Sequence, residues 1–230
     1  MYEKLLGGSK RATAGHTQRW VVALGAIAAV AVSTGARADG RHDRHDRQVV
    51  ESLEVSNLYV FNTETKSKGA VILVRDYNND VVNVSVSSSD LAPGHVHTIW
   101  IVAFNRPWHC SDLCGLDDLP GINPSADPRV HASVFYGGGF IADDTGSVNH
   151  TLTPIVPGRT SRELFGGTKD YGLERLFLTE IHVVLRDHGP QFDPADPAVG
   201  TVAQQLSTAT VCNPNPMACA NVRASIHPAR

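Results

Sequence analysis

The chain has 230 residues and a formal net charge of −3. Its first 38 residues read as a removable leader with five Lys/Arg and one Glu; the remaining 192 residues, enough for one domain, keep 15 basic against 22 acidic side chains, a net charge of −7. A field of that sign excludes nucleic acid and anionic lipid as partners, because both need positive charge.

Lys4, Lys10, Arg11 and Arg19 precede the uncharged run Trp20–Val32, and Ala36-Arg37-Ala38 follows it. A basic leader, a short apolar core and an A-x-A site make a secretory signal peptide, predicted to be cleaved after Ala38. The apolar core has thirteen residues, short of the ~20 that span a bilayer. No later run approaches membrane length, so no transmembrane segment is expected after cleavage. The destination is the periplasm or the extracellular space. No cysteine lies at the cleavage site, so lipid attachment there is not expected.

Residues 39–52 open with DGRHDRHDR, a polar tract that cannot bury a core and reads as a flexible arm. From residue 53 to 230 the pattern is that of one β domain. Leu58–Phe61 is a short apolar run. Gly69–Arg75 is rich in β-branched residues, and Val81–Ser87 alternates Val82, Val84 and Val86 with Asn83, Ser85 and Ser87. Period two with one polar face is a half-buried strand, and the Asp76–Asp80 turn tract makes the pair a hairpin. His95–Phe104 is the most apolar stretch of the mature chain and reads as a central strand.

A long loop, 105–128, follows; loops of that length are more often functional or tied down than idle. Ser133–Tyr136 and Phe140–Ala142 flank Gly137-Gly138-Gly139, which predicts a bulge or a close backbone approach. Asp143–Gly146 is a turn, after which Ser147–Leu152 is expected to pair back. Residues 153–171 look irregular, with one helical turn near Ser161–Phe165. Thr179–Arg186 is the second strong strand, and 187–200 a Pro/Asp loop. Thr201–Leu206 fits a strand or a short helix, and Ala220–His227 alternates as a final strand. Eight or nine short strands with long loops predict an all-β fold, an antiparallel β-sandwich or a Greek-key barrel.

Cys110, Cys114, Cys212 and Cys219 are the four cysteines. An even count in an oxidising compartment predicts disulfides, paired locally as Cys110–Cys114 and Cys212–Cys219. The rival, a four-cysteine zinc site, usually uses tighter spacing.

His95 and His97 are i and i+2 on a strand, so both imidazoles share a face. Imidazole is the commonest ligand of copper and zinc. His182, mid-strand, or His188, at the end of that run, would supply a third ligand if the two strands are neighbours. The alternative is that these rings pack or face water as ordinary strand residues. Asp187 and His188, beside Glu180 and Arg186, have the residue types for acid–base work; charged residues at a strand end otherwise form a solvated rim. No G-x-S-x-G elbow and no phosphate-cradling loop is present, so no catalytic residue is assigned. Trp100, Trp108, Tyr136 and Phe140 are candidates for the floor of a ligand pocket, or else core. Asn83-Val84-Ser85 and Asn149-His150-Thr151 are formal glycosylation sequons.

Gly94–Trp100 with Val102, Phe104-Asn105, Pro107 and Cys110…Cys114 resembles the core of a group of exported bacterial proteins with no established function. Glu180–Val184 with Arg186, His188-Gly189-Pro190 and Cys219–Val222 resembles the same group, so the likeness covers most of residues 69–227. The L-x-P-G-H-x-H pattern ending at His97 is similar to the CHRD (chordin-like) domain. These resemblances imply a secreted β domain. His95-Val96-His97 also looks like the copper-ligand H-V-H of copper–zinc superoxide dismutases, over three residues and without that family's zinc loop.

The sequence therefore points to an exported, non-enzymatic binding or envelope-associated module for a small ligand or an envelope partner. The alternative is a copper- or zinc-binding protein, redox or hydrolytic, centred on His95, His97 and His182.

Overall fold

The computed structural model describes residues 51–158, 169–195, 200–213 and 219–230. The predicted signal peptide, residues 39–50 of the polar arm and the helical turn at Ser161–Phe165 lie outside the described residues. Within them are eight strands: β1 (Glu51–Val60), β2 (Lys66–Asp76), β3 (Val81–Ser88), β4 (His95–Phe104), β5 (Ala132–Ile141), β6 (Val148–Thr151), β7 (Glu180–Pro190) and β8 (Ala220–His227). One short α-helix is described, α1 (Val202–Ser207). No described helix is long and apolar enough to cross a membrane.

All eight strands join one antiparallel sheet in the order β5-β4-β7-β8-β1-β2-β3-β6. The sheet curls almost into a barrel. Its two edge strands come together where Gly138 of β5 faces the His150 ring of β6. This is the all-β class expected, on the barrel side of the two architectures considered. Ser147–Leu152 does follow the Asp143–Gly146 turn, but it does not pair back on β5. Its ladder is with β3, Ser85 opposite Thr151 and Ser88 opposite Val148, which carries the chain across the gap and nearly closes the sheet.

Alternation along the strands builds two apolar layers. Inside the curl, Val71 and Leu73, Val82, Val84 and Val86, Ile99 and Ile101, and Ile181, Val183 and Leu185 form the main core. Outside it, Trp100, Val102, Phe104, Val134 and Val184 form a second core. The 105–130 loop covers that outer layer. Its three 3-10 turns (Pro107–His109, Leu116–Asp118, Pro128–Val130) bring Cys114, Leu119 and Val130 onto the sheet. The length of this loop is thus explained: a nearly closed sheet with two apolar faces needs a cover on the outer one.

The triple glycine serves both uses predicted for it. Ile99 faces Gly138 while Trp100 faces Tyr136, so Gly137 is an extra, bulged residue. The bulge flips the parity of β5, which lets Phe135 and Phe140 share the inner face. At Gly139 a Cβ would meet the carbonyl oxygen of Leu206 at 2.5 Å, so the end of α1 packs directly on the strand. The helix starts at Thr201, whose hydroxyl accepts from Gln204 N–H while the Gln204 side chain reaches back.

Both disulfides are present, Cys110–Cys114 and Cys212–Cys219, and no described cysteine is free. They fit an oxidising, exported setting.

Arg75 is the bulkiest of the fully buried side chains. It lies at one end of the curl and is satisfied on every side. Nε donates to Glu54 Oε1 at 2.8 Å, and the terminal nitrogens donate to the carbonyls of Leu176, Thr179, His227 and Pro228. One guanidinium thus fastens the 172–179 segment and the C-terminal strand to β2.

Candidate functional site

Neighbouring strands β4 and β7 carry the four histidines singled out above. Their register decides what those rings can do. His97 lies opposite Asp187, and Val102 lies opposite His182. Five residues of strand separate His97 from the level of His182, a distance of ~17 Å. The faces differ too. Ile99, Ile101, Val183 and Leu185 point into the main core, which puts His97 on the inner side and His182, beside Val184, on the outer. The three-imidazole site of His95, His97 and His182 is therefore not assembled. His188 does not complete it either, because it too lies on the outer side.

His95 and His97 meet a carboxylate instead of a third ring. His95 Nδ1 lies 3.0 Å from Asp187, which also accepts from Gly189 N–H at 2.7 Å and lies 3.9 Å from His97 Nε2. His97 is fully buried and stacks on Phe140, ring centres 5.2 Å apart. Burial holds its imidazole below the ordinary value despite Asp187. Phe140 is thereby a core residue of the inner layer, not a pocket floor.

The outer side carries a groove of about 500 Å³ with a mostly apolar lining. Its floor is Val102 and Phe104 of β4, His182 and Val184 of β7, and Ala224 and Ile226 of β8. Its walls are the β1–β2 turn from Phe61 to Glu64 and the disulfide loop at Cys114–Leu119. A small apolar extension runs from Phe61 and Leu116 toward Trp100 and Val134. Of the four aromatic candidates, Trp100 thus borders the site. Tyr136 packs edge-on against Trp100 from outside the groove lining, ring centres 5.8 Å apart. Trp108 is exposed and lines a separate, polar recess with Arg106, His109 and Glu174.

One imidazole stands in the apolar floor. His182 Nε2 and Glu180 Oε1 are 2.7 Å apart, and Phe104 meets the imidazole edge-on. Nδ1 of the same ring has no hydrogen-bond partner among the described residues. An apolar trough with one oriented imidazole suits a ligand with an apolar body and one polar end. The sequence marked His182, but as a metal ligand. The lining from β1 and β8 was hidden, because β1–β8 pairing brings together residues more than 160 positions apart in the chain, such as Tyr59 and Ala224.

A second polar line runs through the outer layer. Trp100 Nε1–H donates to Thr98 Oγ1 at 2.8 Å, and Thr98 Oγ1 lies 2.7 Å from His188 Nε2. His188 Nδ1 lies 2.7 Å from the carbonyl of Val211. A carbonyl only accepts, so Nδ1 carries the proton and Nε2 accepts from the threonine hydroxyl. Burial holds this imidazole below its ordinary value, so the ring is neutral near pH 7. Nδ1 is also 3.4 Å from Cys219 Sγ.

Comparison of the chain with protein-family models, curated proteins and solved structures yields no match to any of them.

Proposed function

We propose that this domain is an exported binding module that takes a small amphipathic ligand in the groove between the β4-β7-β8 surface and the Cys110–Cys114 loop. One observation carries the reading: the floor of a mostly apolar trough of about 500 Å³ holds one imidazole, His182, oriented by Glu180 Oε1 at 2.7 Å. Its volume lies within the ~300–1,000 Å³ of small-molecule sites. The apolar body of the ligand lies on Val102, Phe104 and Val184, and its polar end takes the free edge of His182. The two disulfides and the resemblance to secreted CHRD-like domains support export.

The test is a titration with single-chain fatty acids and fatty alcohols of graded length, followed by Trp100 fluorescence and calorimetry. Saturable one-to-one binding is expected. Leu116→Glu and Ile226→Glu should weaken it at least tenfold, because both side chains line the groove yet are partly exposed, so the fold survives. Absence of saturable binding, or affinities indifferent to both substitutions, overturns the proposal.

A further inference from the structure

Three ligand-type atoms converge at the far end of β7. His188 Nδ1, Cys212 Sγ and Cys219 Sγ lie within 4.8 Å of one another. His188 and Cys212 are buried. The two sulfurs are bonded to each other in the structure, so the cluster has two chemical states. Oxidised, it is a disulfide with a neutral imidazole beside it. Reduced, it presents two thiols and one ring nitrogen to a common point.

Three features make this more than a chance encounter. First, the ring is fixed from behind: Thr98 Oγ1 holds Nε2 at 2.7 Å, and Thr98 is itself buried and held by Trp100. A histidine ligand is usually oriented in this way by a partner on its other nitrogen. Second, the approach of the Cys212 loop is built into the backbone. Asn213 N–H donates to the His188 carbonyl at 2.8 Å. Gly189, at φ +79°, leaves room for the Asn213 carbonyl where any Cβ would collide. Third, the donor set is two thiolates and one imidazole. Those donors suit zinc, and three protein ligands leave a fourth position open.

We propose that Cys212, Cys219 and His188 form a redox-gated site for a thiophilic cation, zinc(II) by donor type, which opens when the Cys212–Cys219 bond is reduced. The step balances as follows. A dithiol reductant gives two electrons and two protons, leaves as its own disulfide, and the Sγ–Sγ bond becomes two thiols. The cation displaces both thiol protons to solvent. His188 releases its Nδ1 proton and takes one at Nε2, with no net change in charge. Nε2–H then donates to Thr98 Oγ1, whose second lone pair still accepts from Trp100.

The experiment uses the mature chain reduced by a water-soluble phosphine, which leaves as its oxide, without oxygen. Cobalt(II) is titrated as the spectroscopic probe and zinc(II) as the competitor. The reduced protein should take up one cobalt per chain with a sulfur-to-metal charge-transfer band, and zinc should abolish the band. The oxidised protein should show none. Cys212→Ser/Cys219→Ser, which keeps Cys110 and Cys114, should lose the band, whereas Cys110→Ser/Cys114→Ser should keep it. Thr98→Val should weaken binding about tenfold through the ring's orientation, and His188→Gln at least as much.

If His188→Gln does not fold, nitrogen-15 spectra of histidine-labelled wild type decide the matter. On zinc binding the His188 proton should move from Nδ1 to Nε2. No band in the reduced chain, a band that survives loss of Cys212 and Cys219, or an unchanged His188 tautomer overturns the proposal.

Discussion

Gly189 and Asn213 meet backbone to backbone. The glycine has φ +79°, and an added Cβ would fall inside the Asn213 carbonyl oxygen. Asn213 N–H in turn donates to His188 O at 2.8 Å. This contact holds the 209–213 segment on β7 and with it the Cys212 side of the second disulfide.

Gly189→Ala adds a side chain where neither the dihedral nor the space allows one. A non-glycine residue in the left-handed region costs ~1–2 kcal/mol, and the collision adds to that. We expect a loss of ~2–4 kcal/mol of stability by urea unfolding. The Cys212–Cys219 bond should also become more reducible than Cys110–Cys114 in the same sample, by timed thiol alkylation. A substitution without effect on either readout would show that the loop finds another way to sit.

Arg75 and Glu54 predict a second sensitivity. Burial by itself would raise the Glu54 carboxyl. His227 at 3.6 Å, Arg75 at 2.8 Å and Arg230 at 3.3 Å outweigh it and bring it down from 4.5 to about 2. A carboxyl depressed in the fold contributes stability that is complete above pH ~4.5 and is lost as pH falls toward ~2. Glu54→Gln leaves Arg75 buried without its countercharge, which costs ~3–5 kcal/mol. The variant should lose the acid dependence of unfolding over that window. Replacing both partners, as Arg75→Met/Glu54→Leu, should cost less than the sum of the two single changes, because neither charge is then left without the other.

The fold was legible where periodicity is local. β3, β4 and β8 follow from runs such as Val82-Val84-Val86, and both disulfide pairings follow from short spacing and compartment. What failed was everything set by non-local register. The strands of His95, His97 and His182 are neighbours, the condition a shared site needed, yet the pairing of Val102 with His182 carries that ring five residues away and to the other face. Ser147–Leu152 crosses to β3 because the closing edge of a curled sheet is chosen by the whole curl, not by the preceding turn. Arg75 ends the apolar run Gly69–Arg75, and that run says nothing of where its charge goes. Its burial is explained by Glu54 on β1 and by carbonyls more than a hundred residues away, among them those of Thr179 and Pro228.

His97 gives the domain a second acid limb. The ring is buried against Phe140, with His95, Asp187 and His188 as its ionisable neighbours. Burial depresses its pKa from 6.5 despite Asp187, so the unfolded chain binds the proton more readily than the fold does. Stability is then complete above pH ~6.5 and declines as pH falls from there. His150, depressed by burial on β6, adds in the same direction. The urea midpoint should fall between pH 7 and pH 5, and His97→Phe, which keeps a ring on Phe140, should flatten that slope. Equal slopes in the two proteins would remove His97 as the cause.

The Cys110–Cys114 bond separates stability from binding. The bond closes a short loop, for which the chain-entropy relation gives only ~2 kcal/mol. Its position matters more than its length. Cys114 packs in the outer core, and the next residues, Gly115, Leu116 and Leu119, wall the groove. Asp118 fastens the same loop by accepting from Ser111 N–H and Gly115 N–H at 3.2 and 3.0 Å. With the bond gone, those two hydrogen bonds and Leu119 still hold the loop down, so the domain should remain folded. The wall at Leu116 should loosen, because its side chain is exposed and the bond that fixes the loop just before it is gone. Cys110→Ser/Cys114→Ser is therefore expected to unfold with a modestly lower urea midpoint but to bind a groove ligand about tenfold more weakly. The lost affinity should lie in faster dissociation, since a wall that opens more often releases its occupant sooner. Affinity unchanged in that variant would mean that the loop only covers the outer core and that the ligand rests on the sheet and the β1–β2 turn alone.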